Sequence, residues 1–194
     1  MKNDSYNFNN TNGYFILRDA SNEGLKKNEI KRIINDNMMH KVAHGVYALN
    51  DIFLDDLFII SNKNQNVIIS HESALYIYGL MEREPFYNEV TVKYGYNASH
   101  LKKYNVHVHT VIFDYYDIGV TTHKTPLGNN VKVYDMERTI CDIIRNKNKM
   151  DIQIYNYALK EYVRRKDKRL PVLMEYAKKL GIEKKVRDLF EVLL

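Results

Sequence analysis

From Gly13 onward, apolar positions fall into short periodic blocks separated by turn residues. Leu17–Asn22 reads as a short helix, and Asn22-Glu23-Gly24 as a turn. Residues 26–35 predict a second helix, because Ile30, Ile33 and Ile34 fall at i, i+3 and i+4 and form one stripe. Residues 39–43 and 46–49 predict two short strands joined by His44-Gly45, where the glycine permits a tight reversal. After Asp51 the texture changes. Residues 55–62 predict a helix and 67–69 a buried strand. Ser70 is the expected N-cap of a helix running through Tyr78 and closed by Gly79. Residues 89–94, 106–113, 118–123 and 131–134 alternate as strands, and 126–130 is the clearest turn. The rest reads as helical. Asp135 caps a helix with Ile140, Ile143 and Ile144 inward. Asp151 caps one carrying Ile154, Tyr155, Ala158, Leu159 and Tyr162. Pro171 opens the next, closed by Gly181, and the last buries Val186, Leu189, Phe190 and Leu193.

Helix, glycine turn, helix with a basic outer face, then a hairpin is the order of a winged helix-turn-helix. The predicted fold class is therefore α+β. A winged helix-turn-helix DNA-binding domain occupies residues 1–50. A larger α/β domain with a mixed sheet and C-terminal helices occupies residues 51–194. If Ile30, Ile33 and Ile34 face inward, Lys27, Asn28, Lys31 and Asn35 face outward, as a helix entering the major groove requires. Lys26 opens that helix, and Lys41 and His44 fall on the wing, near phosphates. The same pattern also fits a helical hairpin that caps a larger domain, its lysines merely solvated.

Composition narrows the classes. The 194 residues are 45% hydrophobic and 27% charged, the balance of an ordinary globular chain. The best apolar run, residues 52–60, is broken by Asp55 and Asp56 and is far short of the roughly 20 residues of a spanning helix. No apolar signal-peptide stretch follows Met1, so a cytoplasmic protein without a membrane partner is expected. The single cysteine, Cys141, excludes an intramolecular disulfide and a multi-thiolate zinc site. The net charge of +5 is unevenly spread: residues 1–50 and 137–194 are net basic and residues 51–136 net acidic. Basic ends fit a nucleic-acid partner, or lysines and arginines that solvate helix faces. Apart from an Asn-rich first dozen residues, expected to be mobile, the chain shows no bias or repeat.

Catalytic signals are weak. Cys141 lies beside an apolar helical stripe without a nearby histidine, so it reads as a buried structural thiol. His107 and His109 share one face of a strand, as two metal ligands do, but no carboxylate or third histidine stands at ligand spacing. His71 reads as a helix-start residue. Phosphate-loop, His-Glu-x-x-His and nucleophile-elbow motifs are absent. Arg138 and Asp142 are i, i+4 and suggest a helix ion pair. Arg164, Arg165, Lys166, Lys168 and Arg169 form the densest basic run, either a solvated helix end or a contact surface. No catalytic residue, metal or cofactor is expected from these features.

Four stretches together carry a family resemblance. They are Gly13-Tyr14-Phe15 with the two helices and Val42-Ala43-His44-Gly45-Val46-Tyr47, then Ile69-Ser70-His71-Glu72-Ser73-Ala74-Leu75 with Tyr78-Gly79-Leu80. The third runs from Asp135 through Met136, Glu137, Arg138, Thr139, Ile140, Cys141, Asp142, Ile143 and Ile144 to Arg145, and the fourth is Ala158-Leu159-Lys160-Glu161-Tyr162. In this order and spacing the chain resembles the AbiEi-type antitoxins of bacterial abortive-infection (type IV toxin–antitoxin) systems, which act in phage resistance. The resemblance implies a winged helix that represses the protein's own promoter and a C-terminal domain that counters a nucleotidyltransferase-like toxin without forming a stable complex. Two features depart from the family pattern. Lys26 stands where a Ser or Thr N-cap is usual, and residues 1–12 offer only Tyr6 and Phe8 as apolar anchors in place of a full first helix. On this reading Arg138, Arg164, Arg165 and Lys168 belong to the antitoxin surface. The alternatives are a stand-alone winged-helix transcriptional regulator and a nucleic-acid-processing enzyme.

Overall fold

In the computed structural model, which describes residues 12–193, the isoleucine stripe of the second predicted helix is turned inward. Ile33 is buried with Phe15, Ala20 and Met39, and Ile30 and Ile34 pack against this cluster. The Asn-rich opening and the anchors Tyr6 and Phe8 lie outside the described residues. The chain divides into two packing units. The first comprises the residues up to Gln65 together with Lys124–Val131, and the second comprises Asn66–His123 and Lys132–Leu194.

The first unit begins with β1 (Tyr14–Ile16), a strand that the polar-apolar pattern did not announce, because all three of its residues are buried and nothing alternates. Then come α1 (Leu17–Asn22), α2 (Lys27–Asp36), β2 (His40–Ala43) and β3 (Val46–Ala48). β3 lies between β1 and β2 in a three-stranded antiparallel sheet. Gly45, at φ 76°, makes the reversal between β2 and β3 in a conformation that other residues rarely adopt. Helix α3 (Asp56–Lys63) belongs to the same unit, so the boundary expected at Asp51 falls inside it. The cause is Asp55. This buried N-cap accepts from Phe58 N–H at 3.1 Å, from Thr125 Oγ1 at 2.5 Å and from Asn129 Nδ2 at 2.8 Å, and its own N–H donates to the Tyr14 hydroxyl. The turn at 125–129 is thereby tied to α3 across some 70 residues of sequence.

The second unit holds a mixed five-stranded sheet in the order β6-β5-β4-β8-β7. Its strands are β4 (Ile68–Ile69), β5 (Asn88–Lys93), β6 (Val106–Val111), β7 (Val120–Lys124) and β8 (Asn130–Tyr134). β4 runs antiparallel to β5 and parallel to β8, and β5 runs parallel to the edge strand β6. Helices α4 (His71–Ile77), α5 (Phe113–Tyr116), α6 (Met136–Arg145), α7 (Ile152–Arg164), α8 (Leu170–Lys179) and α9 (Glu183–Leu193) complete it. α6 is the central element. Asp135 caps it by accepting from Arg138 N–H at 2.8 Å, and Ile140, Cys141, Ile143 and Ile144 join the main apolar cluster. Among the described residues, no helix is long and apolar enough to cross a membrane.

Candidate functional site

The candidate nucleic-acid residues lie at one helix start and on one hairpin. Lys27, Asn28 and Lys31 are exposed on α2, on the side away from Ile33, and Lys26 is its exposed N-cap residue. A lysine has no acceptor to offer the helix N-terminus, so only half of a capping box forms: Glu29 Oε2 accepts from Lys26 N–H at 2.6 Å. Lys41 on β2 and His44 in the reversal before β3 are also exposed.

The four residues assigned to a toxin-facing surface part company. Arg138 is 0% exposed, which corrects its assignment to a surface. Its Nε lies 2.9 Å from Asp142 Oδ2, its Nη1 donates to the carbonyls of Tyr115 and Ile118 at 2.5 and 2.7 Å, and its guanidinium lies over the Tyr134 ring. A cation is tolerated there because a carboxylate, two carbonyls and an aromatic face replace its water. Arg165 is held by both oxygens of Asp167, and Lys168 donates to the Arg165 carbonyl, so these two shape the chain after α7. Arg164 is exposed and pairs with Glu161 at 2.6 Å. Arg169, part of the basic run in the sequence, donates through its backbone and side chain to the fully buried Glu137 and reaches Asp135 at 3.0 Å.

Tertiary packing also assembles a cluster that sequence spacing does not reveal. The parallel register of β5 and β6 sets Glu89 beside His107 and Thr91 beside His109. His71, the first residue of α4, stacks its ring on His109 with centroids 3.5 Å apart and planes 12° from parallel. The missing carboxylate is Glu89: its Oε1 lies 3.0 Å from His107 Nδ1 and 3.5 Å from His109 Nε2. Glu89 Oε2 accepts from the Glu72 N–H at 3.0 Å, and the Glu89 N–H donates to Ser73 Oγ. Ser70, the expected side-chain cap of α4, makes no cap bond; its hydroxyl instead accepts from Thr91 Oγ1 and contacts His71 Nδ1.

The environment sets the charges. Burial pushes His71 down to about 4, so its imidazole is neutral near pH 7. Burial alone would raise Glu89, but the His109 imidazole 3.5 Å away and the hydrogen bond from the Glu72 N–H prevail and bring it down to about 2. On the other ring nitrogen of His71, Asn146 Nδ2 lies 3.0 Å from Nε2 and also donates to the Asp142 carbonyl. That second bond fixes the amide orientation, so Nε2 of His71 is an acceptor and Nδ1 carries the proton. His71 also has a left-handed backbone, φ 48°, which few non-glycine residues adopt. The one sequence signal for this cluster was the polar run Ser70-His71-Glu72-Ser73 directly after a buried strand.

Compared with known proteins, the chain matches no family model and no curated protein sequence.

Proposed function

We propose that this protein is a DNA-binding antitoxin that represses its own promoter. The observation that carries the DNA-binding part is the two-sided character of α2. Ile33 is buried on one side, Lys27, Asn28 and Lys31 are exposed on the other, and the β2–β3 hairpin with Lys41 and His44 follows directly. The order β1-α1-α2-β2-β3 supports a winged helix-turn-helix, with α2 in the major groove and the hairpin along the phosphates. The antitoxin part rests on the four sequence stretches that resemble the AbiEi type, and its partner is a nucleotidyltransferase-like toxin.

Phosphate contacts make affinity fall steeply with salt, and each lysine on a phosphate contributes roughly 0.9 to the slope of log K against log salt. A gel shift of the full chain on its own promoter DNA, repeated over a salt series, tests the assignment. The Lys27→Ala, Lys31→Ala double variant is expected to weaken binding and to flatten the slope by about 2. Undiminished binding by that variant at moderate salt refutes it. Co-expression of the full chain with a nucleotidyltransferase-like toxin encoded beside it, scored for restored growth, tests the antitoxin part.

A further inference from the structure

The second packing unit carries an inference independent of DNA binding. We propose that His71, Glu89 and His109 are the protein ligands of a divalent transition-metal ion of the zinc class, with a fourth position open to water or another ligand. One donor atom from each of the three lies within 4.8 Å of the other two. A tetrahedral ion with metal–ligand bonds of about 2.0–2.1 Å separates adjacent donors by about 3.3 Å. Glu89 Oε1 and His109 Nε2 stand 3.5 Å apart, close to that spacing, and the pairs with His71, within 4.8 Å, close on it as the ring turns. Two imidazoles and one carboxylate suit zinc and its neighbours, whereas magnesium and calcium take oxygen ligands. Three protein ligands with one open position is the usual composition of a reactive zinc centre, and structural sites are closed by four.

Two further observations favour an ion over packing alone. His109 Nε2 is buried, and its nearest acceptor, Glu89 Oε1, stands 3.5 Å away, too far for a good hydrogen bond, a deficit that a metal bond makes good. The ligands are also held from outside, as metal ligands are. The Glu72 N–H holds Glu89 Oε2, His107 Nδ1 lies against Oε1, and of Ser70 and Asn146, one on each nitrogen of His71, the one not displaced by the ion holds the ring. His107 is more exposed than the other two and acts as an outer partner of Glu89. Coordination requires one ring movement. The in-plane lone pairs of two parallel rings run side by side, so one imidazole must turn about its terminal torsion, which is broad. His109, on the edge strand β6, is the ring that turns, and His71 exchanges one of its two polar contacts for the ion.

The experiment uses the full chain, stripped with chelator and dialysed, then titrated with Zn²⁺ by calorimetry and with Co²⁺ by visible absorption. The expected result is one saturable equivalent and the intense d–d bands of four-coordinate Co²⁺. Long-range ¹H–¹⁵N spectra of the unmutated chain read the site directly, because two of the seven imidazoles should shift and saturate at one equivalent of Zn²⁺. His109→Ala and Glu89→Gln should each weaken Zn²⁺ binding by at least about 100-fold, more than the loss of an outer partner. His40→Ala, in the other packing unit, should leave it unchanged. Glu89 also anchors α4, so if Glu89→Gln fails to fold, His109→Ala and the imidazole spectra decide. No saturable equivalent, shifts confined to other imidazoles, or full affinity in a folded His109→Ala each overturn the proposal.

Discussion

Arg138→Met removes the one fully buried guanidinium described in the structure while keeping a side chain of similar volume. Asp142, 1% exposed, then loses the Nε contact at 2.9 Å. Its remaining cation is Arg145 Nη1, 3.6 Å from Oδ1. The carbonyls of Tyr115 and Ile118 lose their donor as well. Stranding one member of a buried ion pair costs about 3–5 kcal/mol, and each carbonyl left without a donor adds roughly 1 kcal/mol. Methionine packed on the Tyr134 ring offsets part of this, so a net loss of about 4 kcal/mol is expected. A domain is stable by only about 5–15 kcal/mol in total, so the effect is large. Equilibrium urea denaturation followed by circular dichroism measures it, with an unchanged slope confirming the same folded and unfolded states. The double variant Arg138→Met, Asp142→Leu removes both charges and should regain most of the loss. A loss below about 1 kcal/mol in the single variant refutes this account of the pair. So does a double variant less stable than the single.

Gly119→Ala should destabilise the chain by more than about 3 kcal/mol in thermal or urea melts. Gly119 has φ 74°, and an added Cβ would stand 2.5 Å from the Arg138 Cβ; a shift below about 1 kcal/mol contradicts that reading. Cys141 should react with aromatic disulfide reagents at least about 100-fold more slowly in the folded chain than in urea. Burial, with the Asp142 charge adding to it, pushes the thiol up to about 12, and Sγ lies 3.7 Å from the Leu173 carbonyl. Equal rates in the two states would show that the thiol is accessible.

The amino-acid sequence by itself determined the local elements. Ile30, Ile33 and Ile34 marked the inner face of α2, and Asp55, Asp135 and Asp151 marked helix starts where their carboxylates do cap. Glycines marked the reversals. These features depend on residues within one or two turns of each other, so spacing and side-chain type suffice to read them. Tertiary structure alone decided which side chains meet. β1 was invisible because a strand buried on both faces has no alternation. The polar side of α6 pointed to a solvated ion pair, but packing enclosed Glu137, Arg138 and Asp142, and Arg169 closed over Glu137 from 32 residues away. Asp55 drew the turn at 125–129 into the first packing unit, which no composition break near residue 51 foretold. His107 and His109 lacked a carboxylate in sequence because Glu89 reaches them only through the parallel pairing of β5 with β6, and His71 only through the packing of α4 on that sheet. Strand register and helix docking are set by the burial of whole apolar faces summed over the fold, so the encounter of His71, Glu89 and His109 is written in no local stretch of the chain.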